Sequence, residues 1–178
     1  NDYEYGVANG TNAAKWINEK LGGKAEVLLI TLDHVETVKL RGDGMEDTIK
    51  KLCPNAVIVA RQYAENMETA MNITETVLQA HPNLNAIACV NDQHAIGALE
   101  AVKNMGIKND NFYIGGADYT DEGVQKMKEP GSYFRVTADI QPDFYGAYGA
   151  EKLYQYATTG PVEETQYFAI KAVWATDL

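Results

Sequence analysis

The stretch Leu84–Val102, LNAIACVNDQHAIGALEAV, decides the fold of this chain. Its first half is an apolar run of strand length that ends at the polar pair Asn91 and Asp92. Apolar residues then recur at helical spacing from Ala95 to Val102, which predicts a helix with one buried face. The order is a strand, a polar corner and a helix, and ligands of open α/β sheets bind at such corners. Asn91 and Asp92 are therefore the first candidates for function.

The same order recurs along the whole chain. Apolar runs predict strands at residues 25–32, 55–61, 84–90, 112–117, 133–140 and 165–174. Helical patterns lie at residues 5–21, 37–52, 66–80, 92–105, 121–128 and 142–158. This alternation predicts an α/β fold with a doubly wound, mainly parallel sheet flanked by helices, in a single domain over residues 1–178. The second strand is almost wholly apolar, which is typical of a strand covered on both faces.

Composition limits the classes of function. The 178 residues are 46% apolar and 22% charged, values typical of a globular domain that can bury a core. A net charge of −10 repels nucleic acid and anionic lipid, so we expect no nucleic-acid partner. The longest apolar runs, such as residues 56–60, are far shorter than the roughly 20 residues that span a bilayer. Cys53 and Cys89 lack CxxC spacing, and we expect two free structural thiols.

A parallel sheet brings the carboxyl ends of its strands to one edge, so the polar residues that follow the strands should converge there. They are carboxylates, amides, an amine and phenols, a mixture that suits hydrogen bonding to the hydroxyls of a small polar ligand. These candidate residues are His34, Glu36 and Lys39; Tyr63, Glu65 and Asn66; Asn91, Asp92 and His94; Asp118 and Tyr119; and Gln141.

Several of these residues also have a purely structural interpretation. Asp92 is most simply the N-cap of the following helix, where a carboxylate accepts from free backbone N–H groups at the positive end of the helix dipole. Asn91 fits a cap or a ligand contact equally well. Asp118 could merely end its strand, but the preceding Gly115-Gly116 pair permits close approach to the backbone and favours a ligand contact. Lys39 would ordinarily be solvated, and only its place one turn into a helix after a strand suggests a ligand contact.

The aromatic and histidine residues form no enzyme motif. Tyr63 and Tyr119 are as consistent with packing as with stacking against a ligand. The three histidines, His34, His81 and His94, are scattered and do not predict a metal site. GxGxxG, Walker A, GxSxG and HExxH motifs are absent from the sequence. We therefore expect no catalysis, cofactor or metal. The alternative to a binding protein is an enzyme, either an α/β hydrolase or a nucleotide enzyme.

Three stretches in order resemble one known family. They are RGDGM at 41–45, CVNDQHAIGALEAVKNMGI at 89–107 and FYIGGADYTDEGVQKMKEPGSYFRVTADIQPDFYGAYGAEKL at 112–153. Together they are similar to the sugar-binding, ribose-binding-protein-like solute-binding proteins of ABC importers. That family shares an ND corner, a GxD strand end and a crossover containing glutamine and proline, in this order. The resemblance implies one lobe of a type I periplasmic-binding-protein fold.

The resemblance also implies roles for individual residues. Asn91 and Asp118 would hydrogen-bond sugar hydroxyls. Lys39 falls where the ribose binders carry an arginine, so it would contact the ligand without the planar fork of a guanidinium. Glu65 falls where they carry an aromatic residue, and Gln141 lies one place beyond their glutamine position. These departures leave open ribose, an amino-sugar, a polyol or another small polar molecule.

The predicted ligand-binding set is completed by two residues from the same strand ends, His94 and Tyr119. The resemblance implies a monosaccharide as ligand, an ABC permease as partner, and an extracytoplasmic location, periplasmic or lipid-anchored, with signal and anchor outside this chain. The alternative within binding proteins is the effector domain of a LacI-type repressor, which is similar in fold. Acidity and the longer strand before the crossover favour the importer.

Proteins of this family have two lobes, and NDYEYG at residues 1–6 resembles the hinge segment that leads out of the first. The chain would therefore be the C-terminal lobe, and the helix at 143–158 would belong to the other lobe. We expect this helix to fold back on the lobe or to pair with a second copy as a homodimer, because an apolar stripe seldom stays exposed. The stripe consists of Phe144, Tyr145, Tyr148, Leu153 and Tyr156.

Overall fold

The computed structural model describes residues 1–161 and 169–178, and it confirms the predicted order of strands and helices. The helices are α1 (Asp2–Lys20), α2 (Glu36–Leu52), α3 (Met67–Ala80), α4 (Asp92–Asn104), α5 (Asp121–Lys128) and α6 (Pro142–Thr159). The strands are β1 (Glu26–Thr31), β2 (Val57–Tyr63), β3 (Leu84–Cys89), β4 (Tyr113–Ala117), β5 (Phe134–Asp139) and β6 (Lys171–Trp174). Residues 165–168 of the last predicted strand lie outside the described residues.

The six strands form one sheet in the order β2-β1-β3-β4-β5-β6. The first five pair in parallel, and β6 pairs with β5 in the antiparallel sense. The doubly wound, mainly parallel sheet is therefore confirmed. Because the parallel strands run the same way, their carboxyl ends share one edge of the sheet, and that edge is where the polar corners lie.

Helices cover both faces of the sheet because successive side chains of a strand point to opposite sides. In β1, Val27 and Leu29 pack with α1 and α2 on one face, whereas Leu28 and Ile30 pack with α3 and α4 on the other. All four side chains are fully buried. The near-continuous apolar run in β1 thus follows from burial on both sides.

Strand β2 is an exception to the prediction from its apolar sequence. It lies at the edge of the sheet, and Val57 at its start is 58% exposed. The prediction that this strand is covered on both faces is therefore wrong. Apolar content reports β propensity as well as burial, and the two cannot be separated from sequence alone.

Helix α6 contributes no residue to the buried apolar core of the described chain. Leu153 and Tyr154 are each 73% exposed. Leu153 and Tyr156 of the predicted stripe do not pack on the lobe in the described chain, and the expectation that the helix belongs to another lobe stays a prediction. Pairing with a second copy is not tested by a single chain and stays a prediction.

Close contact between α1 and α2 depends on a glycine, which yields a first testable prediction. A Cβ added to Gly44 would collide with the backbone carbonyl of Tyr3, and backbone cannot move aside as a flexible side chain can. We expect Gly44→Ala to lower the free energy of unfolding by about 1–3 kcal/mol through overpacking. Asn72→Ala, which places the same residue at an exposed position of α3, is the matched control and should cause no loss. Urea unfolding measures both, and equal stability of the two variants would contradict the packing argument.

Candidate functional site

Three side chains meet beyond the end of β4, where the strand edge faces the start of α1. The Tyr5 hydroxyl donates to Asp118 Oδ1 at 3.0 Å and also lies 3.1 Å from the carbonyl oxygen of Ala138. Arg41 Nη1 lies 3.6 Å from the same Asp118 oxygen, and its guanidinium stands 4.4 Å from the centre of the Tyr5 ring. Asp118 is only half-buried. A carboxylate is thus held from one side and left accessible from the other.

The protonation behaviour of this group follows from its burial. Burial raises the pKa of Asp118 above its ordinary value, against the opposing effects of the Tyr5 hydrogen bond and the Arg41 charge. Burial and the Asp118 charge raise the pKa of Tyr5 far above its ordinary value, so Tyr5 stays a neutral donor. Arg41 is also held by Asp2, whose Oδ1 accepts from Nε at 2.6 Å. The cluster is therefore preorganised to offer Asp118 Oδ2 as an acceptor.

The backbone at this corner is strained. Asp118 has φ 103° and Tyr119 has φ 55°, both in a region that residues with a side chain seldom adopt. Such conformations cost about 1–3 kcal/mol each and concentrate at functional sites. Asp118 and Tyr119 are therefore held in these conformations by the contacts that surround them.

In the structure Asn91, and not Asp92, is the residue that caps α4. Asn91 is the N-cap of α4, and its Oδ1 accepts from the backbone N–H of His94 at 2.8 Å. Asp92 is the first helical residue and is fully buried, so the prediction that it caps α4 is wrong. Its carboxylate reaches across to Thr120 and Thr137 instead. A ligand contact by Asn91 remains a prediction, and its Nδ2 has no hydrogen-bond partner among the described residues.

Two other expectations at the strand ends are wrong. His94 is 1% exposed, and burial lowers its pKa to about 4, so it is a neutral core residue that a ligand cannot reach. Gly115 and Gly116 are also buried, and their missing side chains make room for the Tyr113 hydroxyl and for Phe134 and Asp92, not for a ligand.

Besides Asp118, the remaining predicted site residues also lie at the surface of the same edge. Lys39 is exposed and pairs with Asp43 at 2.7 Å, and Glu65 is exposed at the start of α3. Tyr119 is 37% exposed beside Asp118. Gln141 precedes α6, and its Nε2 donates to the carbonyl oxygen of Ala169 at 2.8 Å. The structure does not bring these four side chains into contact with one another within the described residues.

Tyr5 and Arg41 are the site residues that the sequence reasoning did not single out. Both had a signal, since Arg41 opens the RGDGM motif and Tyr5 lies in the NDYEYG segment. They also line a cavity of about 580 Å³ between the start of α1 and the crossing from β5 to α6, where Ile140 and Tyr145 form the opposite wall. Asn91 and Asp118 do not line this cavity, so the predicted ligand contacts belong to the open strand edge beside it.

Two further kinds of feature are absent from the described ranges 1–161 and 169–178. No group of three or more His, Cys, Asp or Glu side chains there is placed to hold a metal ion. None of the helices in those ranges combines the length and apolar content needed to cross a membrane. Cys53 and Cys89 are both buried free thiols.

Comparison with known proteins gives one consistent result. The family model described as "Periplasmic binding protein domain" matches residues 6–161. The ribose import binding protein of Haemophilus influenzae is 32% identical over 145 residues, 80% of this chain and 47% of that protein. The D-allose-binding periplasmic protein of Escherichia coli is 28% identical over 158 residues, 88% of this chain and 50% of that protein.

A solved structure agrees in fold and in sequence. It is an ABC transporter periplasmic solute binding protein from Actinobacillus succinogenes with bound D-allose, which superposes with a TM-score of 0.83 at 27% identity. The alignment covers 94% of this chain and 59% of that one. The chain thus spans about half the length of the curated relatives it matches. By its sheet order, its strand-edge corner and the matched residues 6–161, the chain belongs to the periplasmic binding protein family.

Proposed function

We propose that this chain forms one lobe of an extracytoplasmic receptor that binds a neutral monosaccharide and delivers it to an ABC permease. The observation that carries the proposal is the half-buried Asp118 carboxylate, oriented by Tyr5 and Arg41 at the carboxyl edge of the sheet. One carboxylate oxygen is occupied by these partners, and the other can accept from sugar hydroxyls. The relatives named for ribose and D-allose support this class of ligand.

The charge balance supports a neutral ligand. Arg41 stands between Asp2 and Asp118, so its positive charge is already neutralised within the site. Lys39 is likewise paired with Asp43. An anionic ligand at this edge would face the net charge of −10 of the chain, and the Arg41 guanidinium there is already paired. A polyhydroxylated neutral ligand needs only the acceptors and amide donors that the edge presents.

The two-lobe arrangement is part of the proposal. An open strand edge buries a sugar on one side only, whereas closure of a second lobe by a hinge motion would enclose it. The exposed apolar residues of α6, such as Leu153 and Tyr156, would be covered by that lobe. On this basis the site has a binding role with no catalytic step.

The test is a ligand screen on the full-length protein that carries this chain. We expect D-ribose, D-allose or myo-inositol to raise the melting temperature, since a ligand at about 100 times its Kd adds about 2.7 kcal/mol to stability. D-ribose 5-phosphate is the matched control and should have no effect. Stabilisation by the phosphorylated sugar alone, or by none of the neutral compounds in a wider monosaccharide and polyol panel, would refute the proposal.

A further inference from the structure

We infer that Asp92 is a positioning residue, whose buried carboxylate holds the backbone of residues 118–120 in the conformation that presents Asp118 at the strand edge. The inference rests on the proposed function for its effect on binding, whereas its effect on the backbone is independent of that function. It also gives a reason for burying a carboxylate fully beside the site.

Three consecutive amides after β4 are each fixed by a different acceptor. The amide of Asp118 donates to the carbonyl oxygen of Ala138 at 2.9 Å, and that of Tyr119 donates to Thr137 Oγ1 at 3.2 Å. The amide of Thr120 donates to Asp92 Oδ2 at 2.8 Å. Fixing three successive amides leaves little freedom to the two residues with positive φ between them.

Asp92 controls two of these three contacts. Besides the Thr120 amide, its Oδ2 accepts from the Thr120 hydroxyl at 3.0 Å, and its Oδ1 accepts from the Thr137 hydroxyl at 2.6 Å. A carboxylate can only accept, so it fixes the direction of the Thr137 hydroxyl proton. The lone pairs of Thr137 Oγ1 are then left to accept from the amide of Tyr119. Asp92 acts on Thr120 directly and on Tyr119 through Thr137.

The surroundings of Asp92 are shaped to its carboxylate. A Cβ added to Gly116 would lie 2.5 Å from Oδ1, and one added to Gly123 would lie 2.5 Å from Oδ2. Two glycines on different elements therefore leave the space that the two oxygens fill. Since Asn91 immediately precedes Asp92, the same corner sets both proposed ligand residues, Asn91 and Asp118, in one fixed arrangement.

The binding arm of the test uses the full-length protein with D-ribose and D-allose as probes. We expect Asp92→Ala to raise the Kd of the bound sugar by at least about tenfold, because the Asp118 carboxylate loses its fixed direction. Asp92→Asn should stay within about fivefold, since its amide oxygen can accept from Thr120 and its NH₂ can donate to Thr137. Leu78→Ala, a destabilising change in the buried core of α3, is the control and should leave Kd unchanged.

A second arm needs no ligand. In hydrogen exchange of Asp92→Ala, the amides of Tyr119 and Thr120 should lose protection beyond the loss seen at Ile114 in β4. In Leu78→Ala all three should lose protection together. Thr137→Val, which removes the acceptor of the Tyr119 amide while keeping the side-chain shape, should show the excess loss at Tyr119 alone, and it tests that step if Asp92→Ala does not fold.

The two arms separate the possible failures. If the wild-type protein binds neither D-ribose nor D-allose, the result counts against these two sugars as ligands in the proposed function. The hydrogen-exchange experiment alone then decides the role of Asp92. If the wild type binds but Asp92→Ala and Thr137→Val keep its Kd, the positioning role is overturned. Uniform loss of protection overturns it as well, that is, no excess at Tyr119 and Thr120 in Asp92→Ala or at Tyr119 in Thr137→Val.

Discussion

Asp118→Gly is expected to weaken binding of D-ribose or D-allose by the full-length protein about 100-fold while leaving its stability unchanged or raised. Hydrogen bonds to a charged group contribute about 1.5–3 kcal/mol each, and the variant removes the acceptor altogether. Glycine accepts φ 103° without strain, so the backbone penalty at this position is relieved. The Tyr5 hydroxyl keeps the Ala138 carbonyl and Arg41 keeps Asp2.

Binding by isothermal titration calorimetry and the melting temperature measure the two effects separately. The matched control is Asp121→Ala, which removes an exposed carboxylate three residues further along and should leave Kd unchanged. Loss of binding without loss of stability is the signature of a residue held in a strained conformation for function. An Asp118→Gly protein that binds the sugar as tightly as the wild type would remove Asp118 from the site.

The fold was predictable because local pattern and global packing agree along most of the chain. The stretch 84–102 contains an apolar strand, a polar corner and a helical face, and the structure places β3 and α4 on it within two residues. The edge position of β2 was not predictable from its own residues, since the order of strands depends on crossovers that composition does not encode.

The site was predictable in place but not in detail. The strand ends indicated the edge of the sheet at which Asp118 meets Tyr5 and Arg41. Asparagine and aspartate are both good N-caps, so the sequence could not show which of Asn91 and Asp92 caps α4. The choice depends on whether the helical backbone angles begin at Asp92 or one residue later. Tyr5 reaches Asp118 across 113 positions of sequence, a contact that no local pattern can show. His94 has the chemistry of a site residue but lies on the buried side of its helix.

The second large effect concerns pH, where Asp92 and His94 act in opposite directions. Burial raises the pKa of Asp92 to about 6, against the hydrogen bonds from Thr137 and Thr120. In the unfolded chain Asp92 loses its proton near pH 4, so its contribution to stability is present below that pH and is lost as pH rises to about 6. Burial lowers the pKa of His94 from 6.5 to about 4, so its contribution is present above pH 6.5 and is lost as pH falls to about 4.

Each group changes the free energy of unfolding by about 3 kcal/mol over nearly the same interval, so the two largely cancel in the wild-type protein. As pH rises from 4 to 6.5, the free energy of unfolding of Asp92→Asn should therefore rise by about 3 kcal/mol relative to that of the wild type. Over the same interval the free energy of unfolding of His94→Leu should fall by about 3 kcal/mol relative to that of the wild type. Urea unfolding at several pH values measures these differences, in which the titration of the other carboxylates cancels. The two variants are controls for each other, because each removes one titration and keeps the other. Parallel pH profiles for both variants and the wild type would show that neither group titrates as its burial requires.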